Sequence, residues 1–236
     1  MRLTTLNHIF KIPICVHLWL TCKQSPRGCY DAAMAELDVT PEMVLRAYCC
    51  GAFPMADARD GELGWYAADP RGVLPMGRSA GEPAFHVPRS LAKLMRREPF
   101  ALTIDRAFEQ VIAGCADRDE TWINDDIIRL YTQLHRMGYG HSVEAWRDGQ
   151  LVAGVYGLAI GAAFFGESMF SRVPNASKVC LVHLATRLRE HGCLLFDAQF
   201  HNPHLEQFGL IEVPAAAYMR MLETALAGGM SGVWCA

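Results

Sequence analysis

Between His141 and Gln199 the chain carries an order of segments that few architectures accommodate. His141 to Trp146, Leu151 to Leu158 and Ala162 to Phe170 are strand-length runs joined by the Asp148-Gly149 turn and a bend from Gly157 to Gly161, which predicts an antiparallel meander. A helical run from about Ala176 to His191, closed by Gly192, comes next. An apolar strand from Cys193 to Phe196 then runs into Asp197-Ala198-Gln199. A meander, a helix and a further strand bury their apolar faces against one another, so the expected fold class is α+β.

The block from Gly166 to Lys178 interrupts this apolar pattern where strand passes into helix. It places Glu167, Ser168, Ser171, Arg172, Asn175, Ser177 and Lys178 beside helical N–H groups that lack internal partners, which suits a polar or anionic group. The order of elements is similar to a GNAT-like acyltransferase domain, the architecture of acetyl-CoA N-acetyltransferases. The usual pyrophosphate signature of that architecture, Gln or Arg before Gly-x-Gly or Gly-x-Ala, is absent, and Ser171 to Lys178 stand in its place. A donor other than CoA is implied.

Asp197 and Gln199 lie two apart at a strand end, on one face opposite Ala198. They are either a polar strand end that caps the next helix or a pair in which the carboxylate orients the amide to hold an incoming amine. Glu167 sits among aromatic neighbours, so pointing inward it needs a cation or donors, and pointing outward it is solvated. Phe164, Met169, Phe170, Leu181, Leu184 and Phe196 fit ordinary core or the lining of an apolar pocket. Trp122 either covers a core edge or stacks a base. No Ser-His-Asp arrangement, phosphate-binding Gly-rich loop or paired-carboxylate hydrolase pattern stands out.

Upstream, Thr40 and Pro41 predict the start of a short helix that Gly51 ends. The Gly-, Pro- and Asp-rich stretch from Ala52 to Glu82 predicts a small loop-rich N-terminal lobe. Arg89 to Glu98 reads as a helix with Leu91, Leu94 and Met95 on one face and Arg89, Lys93, Arg96 and Arg97 along another. That basic stripe is either solvated or a polyanion contact. Asp125 to Met137 predicts a second helix, with Ile127, Leu130, Tyr131 and Leu134 inward and Gly138 as its stop.

The 236 residues suffice for a large core, and 51% hydrophobic with 20% charged residues describes a soluble globular chain. The net charge of -3 gives no global field for nucleic acid, so any such contact must be local. Nine Cys without regular spacing read as reduced thiols, and no metal site is expected. In the first 33 residues Arg2, Lys11, Lys23 and Arg27 face one acidic residue, Asp31, and the apolar run from Ile9 to Leu20 is too short and interrupted to span a membrane. The expected division is an extension over 1–33, disordered or beyond the native start at Met34, a small N-terminal domain over 34–83, and a GNAT-like domain over 84–236.

Several segments together resemble the leucyl/phenylalanyl-tRNA-protein transferase family. They are Tyr48 to Met55, Trp65 to Arg71, Thr121 to Ile123, His141 to Trp146, Gly166 to Arg172, Asn175 to Lys178 and Phe196 to Gln199. They run in the family's order from Met34 to about Leu226, and the Gly166 to Lys178 block is highly specific. Two positions depart from some members, Met55 in place of Trp and Leu184 in place of Phe.

The resemblance implies an enzyme that moves Leu or Phe, with Met as a further donor, from aminoacyl-tRNA to proteins beginning with Arg or Lys, without CoA, metal or ATP; the reduced thiols suit a cytoplasmic protein, and nothing in the sequence demands more than a monomer. It implies Asp197 and Gln199 as the catalytic pair and Glu167 at the acceptor's basic end. It implies a donor pocket of Val155, Phe164, Met169, Leu181, Leu184 and Phe196, with Trp122 near the terminal adenosine. Ser171, Asn175 and Ser177 count with the substrate-binding residues. Arg89, Lys93, Arg96 and Arg97 become candidates for acceptor-stem phosphates, a contact that needs charge but no base readout. The rivals are a CoA-dependent N-acyltransferase on the same fold and a domain that binds tRNA or basic N-termini without catalysis.

Overall fold

The computed structural model describes residues 9–11, 39–77 and 82–235. Apart from Ile9–Lys11, the extension expected over 1–33 lies outside the described residues, and so does Met34. Two sheets organise the chain. A small antiparallel one has the order β1 (Ile9–Lys11), β3 (Leu63–Ala68), β2 (Phe53–Ala56).

The large sheet has seven strands in the order β10 (Ile211–Val213), β4 (Arg71–Leu74), β9 (Leu195–Gln199), β8 (Ala163–Ser171), β7 (Gln150–Ile160), β6 (Gly140–Arg147), β5 (Ala101–Ile104). Every pairing is antiparallel except β8 with β9, which run parallel through the helix between them. The result is a mixed α+β fold.

The meander forms because its turns have the chemistry a tight hairpin demands. Asp148 at φ 52° and Gly149 at φ 75° occupy the left-handed region at both central positions of the β6–β7 turn, as a two-residue hairpin requires. The helix Asp125–Arg136 (α4) starts where the Asn124 side chain accepts a 3.0 Å bond from the Ile127 N–H. It buries Ile127, Leu130, Tyr131 and Leu134. The helix Ala176–Glu190 (α5) covers the opposite face of the sheet, so the core is two-sided. Tyr156, Leu158 and Phe165 point to one cluster with α4, while Val155, Phe164 and Phe196 point to another with α5.

Two local expectations change. The helix expected over Arg89 to Glu98 is α2 (Arg89–Met95) and ends three residues early, because Glu98, which takes φ 46°, precedes Pro99 and residues before proline avoid the helical region. Among its described residues the stretch from Ala52 to Glu82, expected to be rich in loops, holds β2, β3 and β4. Pro54, Gly64, Pro70 and Gly72 break the alternation that would have revealed them. Strand β4 belongs to the large sheet, between β9 and β10.

Candidate active site

Two irregularities in the large sheet bring the expected polar residues together. Tyr156 pairs with Ser168 and Gly157 with Gly166, so Glu167 is an extra residue in a β-bulge, a device that re-aims side chains. On the next strand Gly72 pairs with Gln199 and Val73 with Asp197, leaving Ala198 as the extra residue. Gln199 completes that bulge in the left-handed region, at φ 61°. Asp197 and Gln199 thus reach one network through a bulge rather than through plain alternation.

Asp197 is fully buried and Arg71 is 1% exposed beside it. The Arg71 guanidinium grips the carboxylate through Nε, at 2.9 Å from Oδ1, and through Nη2, at 2.7 Å from Oδ2. Its Nη1 donates to the Gly51 carbonyl at 2.8 Å. The guanidinium also lies over the rings of Phe53 and Tyr218. Tyr218, from the C-terminal helix Ala215–Ala227 (α7), donates to Asp197 Oδ2 at 2.7 Å.

Burial disfavours the Arg71 charge, but the Asp197 carboxylate more than offsets it, so the pKa of Arg71 is raised. The bond that links Asp197 to Gln199 runs from the Gln199 backbone N–H to Asp197 Oδ1, at 2.8 Å. The carboxylate therefore fixes the Gln199 backbone and leaves its amide to another partner, which corrects the expected carboxylate-to-amide contact.

That partner is Glu167, whose Oε1 accepts from Gln199 Nε2 at 3.3 Å. Glu167 points inward and has its donors: Tyr48 Oη lies 2.7 Å from Oε1 and Tyr131 Oη 3.1 Å from Oε2. Of the two alternatives for an inward Glu167, a cation or donors, the structure shows donors. Burial pushes the Glu167 carboxyl up to about 8, against the downward pull of both tyrosines.

The six apolar residues assigned to a donor pocket fall in one cluster, but as core. Val155, Phe164, Leu181, Leu184 and Phe196 are buried, Phe164 and Phe196 meet edge to face at 5.2 Å, and Met169 is half-buried against them. Trp122 packs on the other face of the sheet, in the cluster that also takes Met55 and Trp65. The structure thus separates Trp122 from the other six. Ser171 spends its hydroxyl locally, accepting from the Ser177 N–H at 3.2 Å and donating to the Val173 carbonyl at 2.8 Å. It caps the first turn of α5, while Asn175 is exposed at φ 66° and Ser177 is buried.

Arg89, Lys93, Arg96 and Arg97 are all exposed. Lys93 and Arg97 line a cleft of about 370 Å³ together with Asn175, Lys178 and Gln207. Arg89 and Arg96 stand outside it. A larger cleft of about 740 Å³, by Val73, Met76, Ile211 and Arg220, contains none of the residues expected from the sequence.

A family described as leucyl/phenylalanyl-tRNA protein transferase matches residues 81–223, and its N-terminal domain matches residues 37–69. The chain belongs to the leucyl/phenylalanyl-tRNA protein transferase family. A protein of that name from Salinibacter ruber is 51% identical over 189 residues, covering 80% of this chain and 81% of its own length. Another from Paramagnetospirillum magneticum is 54% identical over 194 residues, covering 80% and 90%.

Within this transferase family member, the two departures from the common pattern fall on opposite faces of the sheet. Met55 lies with Trp122, and Leu184 lies in the core beside α5. Four residues in contact with the expected trio escaped assignment from sequence: Arg71, Tyr48, Tyr131 and Tyr218. Arg71 and Tyr48 lie inside segments that resemble the family, and that is their available signal. Tyr131 sits on the apolar face of α4 and reads as core, and Tyr218 carries no local signal.

Proposed function

We propose that the protein transfers Leu or Phe, with Met as a third donor, from aminoacyl-tRNA to the N-terminal α-amine of proteins beginning with Arg or Lys, marking them for degradation. Family membership supports this reading. The observation that carries it is the convergence of Glu167 and Gln199 at a pair of bulges anchored by the buried Arg71–Asp197 pair. The donor ester arrives activated, so the chemistry asks chiefly for orientation of an amine. The Gln199 amide, held by Glu167, is suited to receive it.

The order of meander, helix and parallel strand supports a GNAT-like architecture for this site. Purified protein given labelled Phe-tRNA and a peptide beginning with Arg labels that peptide and leaves its acetylated form unlabelled. Absence of label on the free-amine peptide overturns the assignment, and acetyl transfer from acetyl-CoA in its place favours the rival acyltransferase.

Acceptor-stem phosphates are assigned to Arg89, Lys93, Arg96 and Arg97, with Lys178 added where Lys93 and Arg97 share its cleft. Each lost phosphate contact lowers the salt slope of binding by about 1. Lys93→Ala and Arg97→Ala are therefore expected to weaken binding of unrelated tRNA sequences alike and to flatten log K against log salt by about 1 each. Filter binding across a salt series measures this, and an unchanged slope removes the residue concerned from the interface.

A further inference from the structure

We propose that Glu167 stands beside Gln199 as a neutral carboxylic acid, oriented by the positioning residues Tyr48 and Tyr131 in a closed ring of three O–H groups. The ring is defined by three contacts. Tyr48 Oη lies 2.5 Å from Tyr131 Oη, Tyr48 Oη 2.7 Å from Glu167 Oε1, and Tyr131 Oη 3.1 Å from Glu167 Oε2. Both tyrosines are fully buried, so the contact between their hydroxyls is closed to water, while Glu167 is half-buried at the edge of the ring.

Each phenol brings one proton. With Glu167 ionised, two protons serve three contacts, so one edge of the ring, the 2.5 Å contact between the phenols or the 3.1 Å contact of Tyr131 with Oε2, faces lone pair to lone pair. A third proton, on the carboxyl, removes that conflict, because every member then donates once and accepts within the ring. Gln199 Nε2 donates to Oε1, which leaves Oε2 as the oxygen that carries the proton and gives it to Tyr131.

The groups facing Glu167 agree with this arrangement. Tyr48 comes from α1 (Pro41–Cys49), Tyr131 from α4, Tyr156 from β7, Gln199 and Asp197 from β9, and Arg71 from β4. Burial is the largest influence on the carboxyl and favours the neutral form, and Asp197 adds to it. The two phenols and Arg71 oppose it, so the proton stays exchangeable near neutral pH instead of being locked in place.

The use of that proton rests on the aminoacyl-transfer reading. An ionised Glu167 beside Gln199 would pair with the acceptor's ammonium and keep it protonated. A neutral one leaves an α-amine, whose ordinary pKa is about 7.7–8.0, free to act as a nucleophile.

Infrared difference spectra between the unsubstituted protein and Glu167→Gln isolate the carboxyl. The expected result is a protonated carboxyl stretch at neutral pH that vanishes with a midpoint near 8, and a higher midpoint in Tyr131→Phe, which has lost a donor to the ionised form. A spectrum without the band at neutral pH, or a midpoint that Tyr131→Phe does not move, overturns the proposal.

Should Tyr131→Phe fail to fold, melting temperatures of the unsubstituted protein and Glu167→Gln decide. A folded pKa raised above the ordinary 4.5 gives stability that is full below that value and lost as pH rises through about 8. Only the unsubstituted protein should show that decline, and parallel curves overturn the ring. Label transfer from Phe-tRNA, measured on the same samples, separates the two readings. The band without transfer retires the aminoacyl-transfer reading and supports the ring, whereas transfer without the band retires the ring alone.

Discussion

Arg71→Ala is expected to lower the unfolding free energy by about 3–5 kcal/mol, the cost of leaving one member of a buried ion pair without its partner. The loss is large because Asp197, fully buried, keeps among the described residues only the Tyr218 hydroxyl and the Gln199 N–H as donors once the guanidinium is gone. Arg71→Lys recovers little, since an ammonium lacks the planar fork that grips both carboxylate oxygens. Urea unfolding followed by tryptophan fluorescence measures the effect. A loss below about 1 kcal/mol would show that water or a rearranged side chain compensates Asp197, contrary to the sealed geometry around its carboxylate.

Gln199→Gly separates the side chain from the backbone it stands on. The residue occupies φ 61°, where a Cβ costs about 1–2 kcal/mol and glycine is at ease. Stability should therefore stay within about 1 kcal/mol of the starting protein, as relief of that strain offsets glycine's extra freedom in the unfolded chain. Transfer in a single turnover should fall by about 100-fold, the scale of a misplaced reactant. Gln199→Ala should lose as much activity while keeping the strained backbone. If Gln199→Gly transfers label within tenfold of the unsubstituted rate, the amide has no positioning role.

The parts of the fold that could be read in advance are those whose signals are local. The Asp148-Gly149 turn, the Asn124 cap and the glycines that end α4 and α5 each announce themselves within four residues. The meander, the helix and the strand carrying Asp197 therefore emerged with boundaries close to those observed. Strand β4 did not, because Gly72 and Pro70 disguise it and its partners lie more than 120 residues away.

The site followed the same division. Glu167, Asp197 and Gln199 stood out as polarity at strand ends, but their partners did not. Tyr48 and Tyr131 lie on buried helix faces, where an aromatic ring satisfies the apolar pattern and its hydroxyl leaves no mark on periodicity. Both bulges were invisible for a related reason, since one extra residue in a strand depends on the neighbouring strand and not on its own sequence.

The place of β4 in the large sheet also sets the order in which the molecule can be assembled. Arg71–Leu74 is flanked by Leu195–Gln199 on one side and Ile211–Val213 on the other, so its hydrogen bonds wait until nearly the whole chain has left the ribosome. Pairings this distant carry a high entropic cost of loop closure and slow the search for the native state. Arg71 also falls in the gap between residues 37–69 and 81–223, the two regions matched by the family. Chimeras that exchange one matched region between relatives divide the chain at the strand that joins its early and late parts, and the side on which Arg71 is placed decides whether Asp197 meets its native partner.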